Sequence, residues 1–388
     1  MFLPAQKIDG LASTPPMGWN SWNKFACDVN EDLIRETAEA MVSSGLRDAG
    51  YQYIIIDDCW HGERDAKGFI HAHPERFPSG IKALSDYIHS LDLKFGIYSD
   101  AGWKTCGGRP GSRGHEFQDA LTFAEWGVDY LKYDWCYTEG LKAEGAYMTM
   151  AEALKSAGRP IVFSICEWGS DKPWEWGPNL AHLWRTTGDI TAIFDGVVDH
   201  GEWKSHGILQ ILDMQEGLRI YAGPDHWNDP DMMEVGNGMS PAEDRAHFSL
   251  WCMLAAPLIA GNDLVNMSAE TRQILTSQAA IDIDQDPLGI QGFKYLTKES
   301  IEVWFKPLID GQWAVCFLNR DTQTHSIDFN WKYHSNTDGH SQKEFNAHKS
   351  EYKIYDIWAN QDSGTTNEVF PVQIPGHDVV MLRLTPKP

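Results

Sequence analysis

Tyr130-Leu131-Lys132-Tyr133-Asp134-Trp135-Cys136 reads as a short apolar strand that ends on a carboxylate. The same grammar recurs on both sides of it. A short apolar, β-branched run ends in polar or acidic residues, and an amphipathic stretch of helical period follows. Strands are predicted at 17–22, 51–58, 94–100, 130–136, 161–168, 183–190, 226–232 and 257–264. Helical patterns lie between them, among them 31–46 with Asn30 as N-cap, 117–126, 146–156 and 242–253. Eight such βα units imply a (β/α)8 TIM barrel, whose site is built where the strands end.

After Gly292 the pattern changes. Short runs at 301–305, 313–318, 326–331, 352–358 and 379–384 are separated by Gly, Asn, Asp and Pro turns with no helices between them. The expected architecture is therefore an α/β chain of two units, a barrel at 1–291 and an antiparallel β-sandwich at 292–388. A chain of 388 residues with 42% hydrophobic residues has enough length and apolar side chain for both cores.

The net charge of −23 repels phosphate backbones and anionic lipid, so nucleic acid and membrane are not expected partners and a neutral or cationic ligand is. No apolar run reaches the length of a membrane-spanning helix, and Met1-Phe2-Leu3-Pro4-Ala5 is too short for a signal peptide, so a leader is expected to have been trimmed. Seven cysteines are present without Cys-x-x-Cys or Cys/His zinc spacing, and four fall at 27, 59, 106 and 136. Two disulfides among these four predict a secreted or periplasmic protein. The glycine-rich run Gly107-Gly108-Arg109-Pro110-Gly111-Ser112-Arg113-Gly114 lacks the strand and helix of a phosphate cradle and reads as a loop bordering the site.

The chemistry lies in where the carboxylates fall. Asp57-Asp58, Asp100, Asp134, Glu167, Asp189, and Asp229 with Asp231 close successive strands, so a barrel gathers them into one bowl. Like charges that close raise one another's pKa and cost stability, so the ring needs a purpose. Metal binding is one purpose, but such barrels bring histidine ligands, and His71 and His73 sit in a polar loop; no metal is expected. Glycoside hydrolysis is the other: two carboxyls flank the scissile bond while acids and aromatic faces hold the sugar. Trp19, Trp22, Trp60, Trp103, Trp135, Trp168 and Trp184 all lie at or just after strand ends. Lys132, two residues before Asp134, shares its face and is expected to lower its pKa and keep it ionised as a nucleophile. At Asp189, Gly188 is expected to let the backbone turn the carboxyl over the bowl.

Beyond these residues, seven segments resemble the α-galactosidases of glycoside hydrolase family 27. They are Pro15-Pro16-Met17-Gly18-Trp19-Asn20-Ser21-Trp22, Asp57-Asp58-Cys59-Trp60, Lys94-Phe95-Gly96-Ile97-Tyr98-Ser99-Asp100, Lys132-Tyr133-Asp134-Trp135-Cys136, Cys166-Glu167-Trp168-Gly169, Trp184-Arg185-Thr186-Thr187-Gly188-Asp189-Ile190 and Trp227-Asn228-Asp229-Pro230-Asp231-Met232. The resemblance implies a retaining, exo-acting hydrolase of terminal α-galactose with no cofactor, Asp134 as nucleophile and Asp189 as acid/base. It also implies that Asp57 and Asp58 accept from the galactose 4- and 6-hydroxyls beside Trp22. Lys132 and Arg185 would donate to ring hydroxyls, and Tyr98 would border the nucleophile. Asp231 would cap the far side, and Cys166 and Trp168 would border the 2-hydroxyl. The family pattern pairs Cys27 with Cys59 and Cys106 with Cys136, leaving Cys166, Cys252 and Cys316 free.

Other specificities within the family leave other marks. An α-N-acetylgalactosaminidase needs room that the bulky Cys166-Glu167-Trp168 denies, and a β-L-arabinopyranosidase replaces one of the paired aspartates with Glu, whereas Asp57 and Asp58 are both present. An isomaltodextranase-like activity ranks below these. A non-catalytic sugar-binding protein would have lost a catalytic carboxyl. The natural glycan and the oligomeric state are left open.

Overall fold

The computed structural model describes residues 7–387, so the Met1-to-Ala5 stretch read for a leader lies outside the described residues. β1 is Met17–Asn20, β2 Tyr53–Ile56, β3 Lys94–Asp100, β4 Tyr130–Asp134, β5 Val162–Cys166, β6 Leu183–Arg185, β7 Trp227–Asp229 and β8 Leu258–Ala260. All pair in parallel, in the order β7-β6-β5-β4-β3-β2-β1-β8. Closure comes from Met233, just beyond β7, which bridges Ala260 of β8 and donates its N–H to the Ile259 carbonyl at 2.7 Å. Most strands are shorter than predicted: Asp100, Asp134 and Asp229 are the last residues of β3, β4 and β7, whereas Asp57, Asp58, Glu167, Asp189 and Asp231 lie one to four residues beyond the strands that precede them. The acids therefore sit at the strand ends or on the turns just above them.

Strand alternation explains which side chains reach the bowl. Within β4, Tyr130, Lys132 and Asp134 share one face, and Leu131 and Tyr133 the other. Tyr130 packs inside the barrel with Tyr53, Ile55, Val162, Leu183 and Trp227. Leu131 and Tyr133 join the outer core beneath the helices. Counting by twos from those interior residues brings Asp57, Cys166 and Arg185 to the inward face above them, beside Lys132 and Asp134.

The covering helices begin and end on local signals. In the helix Glu31–Ser43, Asn30 caps as expected, accepting from the Leu33 N–H at 2.9 Å. The helix Pro241–Leu254 opens on a capping box in which Ser240 and Glu243 exchange hydrogen bonds, with Pro241 in its first turn.

The C-terminal unit is an antiparallel sheet of six strands in the order Phe293–Lys298, Ile301–Pro307, Trp313–Asn319, Val379–Pro386, Tyr352–Asp356 and Gln361–Thr365. Both faces are buried, for a reason visible in its alternation. Val303, Phe305, Val315, Phe317, Leu382 and Leu384 pack against Phe329, Trp331, Phe345, Val372 and Ile374, which belong to the smaller strand pairs and the turn beside them. Trp304, Ala314, Cys316, Leu318, Val379 and Met381, on the opposite face, join the core of the barrel. Polar ties fasten the same interface. The buried Lys306 Nζ donates to the Cys252 carbonyl at 2.8 Å, Trp358 Nε1 to Ser249 Oγ at 2.8 Å, and Arg245 pairs with Asp378.

Candidate functional site

Trp22, Asp57, Asp58, Tyr98, Lys132, Asp134, Cys166, Trp168, Arg185, Asp189 and Asp231 all line one cavity of about 290 Å³ at the C-terminal ends of the barrel strands. Three turns that aim these side chains use left-handed backbone at non-glycine residues. These are Cys59 (φ 74°) after Asp58, Trp168 (φ 61°) after β5, and Asp231 (φ 91°) after β7. Gly188 is different. Its φ is not left-handed, and a Cβ there would meet His206 at an ordinary 3.5 Å, so Asp189 does not depend on glycine freedom. Gly107 is required by space: its N–H donates to Asp58 Oδ2 at 2.6 Å, and a Cβ would lie 2.9 Å from that oxygen.

Asp134 is held on both oxygens. The Tyr98 hydroxyl donates to Oδ2 at 2.8 Å, the Trp135 N–H donates to Oδ1 at 3.0 Å, and the disulfide-bonded Cys106 Sγ lies 3.3 Å from Oδ2. Burial of the Tyr98 phenol, with carboxylates around it, pushes its pKa up, so it stays a donor. Lys132, expected to keep Asp134 ionised from the same face, is paired with another acid. Its Nζ sits 2.7 Å from Asp57 Oδ2, which also accepts from Asn20 Nδ2 at 2.7 Å. The expected lowering of the Asp134 pKa is overturned by its burial. Burial dominates and, with Asp189 adding repulsion, lifts it to about 6, while the Lys132 charge only opposes that rise.

On the opposite wall Arg185 Nη2 bridges two acids, 2.7 Å from Asp231 Oδ2 and 3.1 Å from Asp189 Oδ1. Asp231 also accepts from the Ile190 and Met232 N–H groups at 2.9 and 2.8 Å, whereas the Asp189 side chain is 40% exposed to the cavity. Asp231 is thus an anchored acid and Asp189 a free-ended one.

Not every strand-end acid faces the cavity. Asp100 accepts from the Gly102 and Cys136 N–H groups at 2.6 and 2.9 Å, and burial beside Asp134 raises its pKa to about 9. Asp229 accepts from the Asp231 N–H at 2.9 Å, and Glu167 from the Asp171 N–H at 2.7 Å. These three hold the turns that carry cavity residues, Glu167 the one that carries Trp168. The tryptophans divide similarly: Trp22 and Trp168 line the cavity, whereas Trp19, Trp60 and Trp184 are fully buried in the core. Trp135 packs on Tyr147, and Trp103 is exposed with Arg113 over its ring. Strand-end position alone does not separate a sugar platform from a core residue. Cys27–Cys59 and Cys106–Cys136 are disulfides, and Cys166, Cys252 and Cys316 are buried free thiols.

The profile described as alpha galactosidase A matches residues 14–286, and that of the alpha galactosidase C-terminal beta sandwich domain matches residues 298–384. The chain is 57% identical to α-galactosidase A of Cellvibrio japonicus over 383 residues, covering 99% of this chain and 95% of that protein. The chain belongs to the α-galactosidases of glycoside hydrolase family 27. The structure of α-galactosidase I from Mortierella vinacea superposes with a TM-score of 0.89 at 35% identity, covering 97% of this chain and 98% of that one. That of the Saccharomyces cerevisiae α-galactosidase with raffinose superposes with a TM-score of 0.90 at 32% identity and full coverage of both chains.

In this α-galactosidase chain the cavity has further lining residues that sequence reasoning missed: Asn23, Ala26, Ile190, Thr191, His200, Trp203, Ser205, Met232 and Glu234. His200, Trp203 and Ser205 come from a hairpin, Val197–Asp199 with Lys204–His206, inserted after Asp189. A signal for it was present in the Val197-Val198-Asp199 run ahead of Gly201, but the hairpin's route back to the bowl is tertiary.

Proposed function

We propose that this chain hydrolyses terminal α-galactosides by retaining double displacement, with Asp134 as nucleophile and Asp189 as acid/base. The observation that carries this reading is that two carboxyls on separate strand ends open on one cavity in different settings. Asp134 is buried and held by Tyr98 and the Trp135 N–H, and Asp189 is free-ended beside Arg185. In the first step Asp134 attacks C1, the glycosidic C1–O bond breaks, and the Asp189 proton goes to the departing oxygen. In the second, Asp189 takes a proton from water as the water oxygen attacks C1. The ester bond to Asp134 breaks, and α-galactose leaves.

Asp57 and Asp58 are the acceptors for the 4- and 6-hydroxyls, Asp57 fixed by Asn20, Lys132 and the Asp58 N–H and Asp58 by the Cys59 and Gly107 N–H groups, and Trp22 packs on the sugar. Lys132 and Arg185 donate to ring hydroxyls, and Asp231 closes the far side. Cys166 and Trp168 wall the 2-position; the Glu167 carboxyl is turned away toward Asp171. The two disulfides support an exported protein, and among the described residues no helix is long and apolar enough to cross a membrane. The unit boundary is proposed between 291 and 292.

Asp134→Ala tests the assignment: the circular dichroism spectrum should be retained while turnover falls about 10³-fold or more, and activity within about tenfold of wild type would sink it. Specificity tests the walls. A site that pairs its buried acceptors with an axial 4-hydroxyl leaves them unmet by glucose, at about 1–3 kcal/mol per lost bond. The order of kcat/KM should be α-galactoside, then β-L-arabinopyranoside, with α-glucoside and α-N-acetylgalactosaminide last. If the N-acetylated substrate were best, the reading of Cys166 and Trp168 would be wrong.

A further inference from the structure

Glu234 is a carboxyl on the cavity wall that the two-step displacement does not use. It stands on the segment after β7 that also carries Asp231, and it is only 5% exposed. Burial raises its pKa to about 7, the range of a working acid/base, yet both of its oxygens already accept from amides. Asn23 Nδ2 donates to Oε1 at 2.7 Å, and Asn237 Nδ2 donates to Oε2 at 2.5 Å. The segment itself is fixed from behind. The Glu234 N–H donates to His247 Nε2 at 3.0 Å in the helix Pro241–Leu254, and Asn237 Nδ2 also reaches the Gly261 carbonyl, just past β8, at 3.1 Å.

What Glu234 holds is the turn that carries Trp22. The chain leaves β1 in one short helical turn, Trp22–Phe25, and Trp22, Asn23 and Ala26 line the cavity. Both ends of this turn are anchored, by Ser21 Oγ accepting from the Asp57 N–H at 3.0 Å and by the Cys27–Cys59 disulfide. Between those anchors, Asn23 and Glu234 tie the β1 turn to the β7 segment across a separation of 211 residues. A helical turn of four residues is not stable on its own, so its place is set by such ties. An acid–base catalyst needs an oxygen within reach of a proton that moves, and a carboxyl spent on two amide donors serves as a brace instead.

We propose that Glu234 is a positioning residue, which through Asn23 sets the place of Trp22 against the galactose ring and so governs sugar binding rather than proton transfer. This rests on the α-galactoside reading above, in which Trp22 packs on the sugar.

The test uses p-nitrophenyl α-galactoside as substrate and free galactose as competitive inhibitor of the intact enzyme. In Glu234→Ala, KM and the galactose Ki should rise together about tenfold while kcat stays within about threefold, the pattern of binding lost equally from ground and transition states. In Glu234→Gln the Asn23 amide turns over to present its oxygen to the new NH2 group, and the remaining oxygen still accepts from Asn237. Both KM and kcat should then stay within about twofold of wild type. Asn23→Ala should reproduce Glu234→Ala, and it serves if that variant does not fold; the double variant should be no worse than either alone. A loss of kcat of about 100-fold or more in Glu234→Gln would make Glu234 a proton-transfer group and overturn the proposal. So would an unmoved KM and Ki in Glu234→Ala or Asn23→Ala, or losses that multiply in the double variant. A wild-type enzyme inert toward the α-galactoside would instead overturn the reading on which the proposal rests.

Discussion

The balance at Asp134 shows how one residue's chemistry is set by competing terms. Burial and the neighbouring Asp189 favour the protonated form, the Lys132 charge and the Tyr98 hydroxyl favour the carboxylate, and the outcome is a pKa of about 6. As the proposed nucleophile Asp134 must be ionised, so kcat/KM should fall roughly tenfold per pH unit below about pH 6, with the limb reporting the coupled carboxyls of the cavity. Lys132→Met removes the term that lowers this pKa, so its acid limb should move to higher pH. A wild-type limb at about pH 4, the ordinary carboxylate range, or an unmoved limb in the variant, would refute this account. Lys132 was legible as the basic residue on the face of Asp134. Its actual partner Asp57 was not, because β2, which leads into Asp57, is brought near β4 only by the pairing of both with β3 between them.

At the scale of elements, strands and capped helices were read within a few residues, since alternation, Asn30 and the Ser240 region are local signals. Several of the missed elements lack a clean period. Ser335–Thr337, Gln361–Thr365 and the His200–Trp203 hairpin are polar or exposed, and their pairing is decided by neighbours. The Cys106–Cys136 bond closes a separation of 30 residues and fixes the loop that presents Gly107 to Asp58 and Cys106 to Asp134. Chain entropy assigns such a closure about 3–4 kcal/mol. Alkylation in denaturant without reductant should label Cys166, Cys252 and Cys316 alone, and reductant should lower both the melting temperature and the turnover. Labelling of all seven cysteines would refute both bonds.

For the whole molecule, buried acids and buried histidines oppose each other. Burial raises Asp100 to about 9 and Asp284 to about 8, so the native state keeps protons that the unfolded chain releases near pH 4. Their contribution to stability is greatest below that pH and is lost as pH rises through the folded values. Burial lowers His182 to about 4 and His247 to about 3, so below pH ~6.5 the unfolded chain takes up protons that these rings refuse. That contribution is complete above pH ~6.5 and is lost on acidification. The slopes oppose each other between pH ~4 and ~6.5; above that range the acids act alone, and the net charge of −23 pushes the same way. Thermal melting at constant ionic strength should show its highest temperatures at mildly acidic pH and a steady fall from about pH 7 to 9. A flat or rising curve over that interval would contradict the argument.

Sequence alone determined the alternation of strands and helices, the barrel and its β-domain, and which carboxylates end the strands, because periodicity, turn residues and caps act over a few positions. Tertiary structure decided the division of labour among those carboxylates. Asp100, Glu167 and Asp229 turned back to hold the loops, while Asp57, Asp58, Asp134, Asp189 and Asp231 opened on the cavity. It likewise sorted the tryptophans, burying Trp19, Trp60 and Trp184 and leaving Trp22, Trp168 and Trp203 at the cavity. The physical reason is that solvation, charge neighbours and free space at a strand end depend on residues tens of positions away, such as Lys132 for Asp57 and Arg185 for Asp231, which only the assembled barrel brings together.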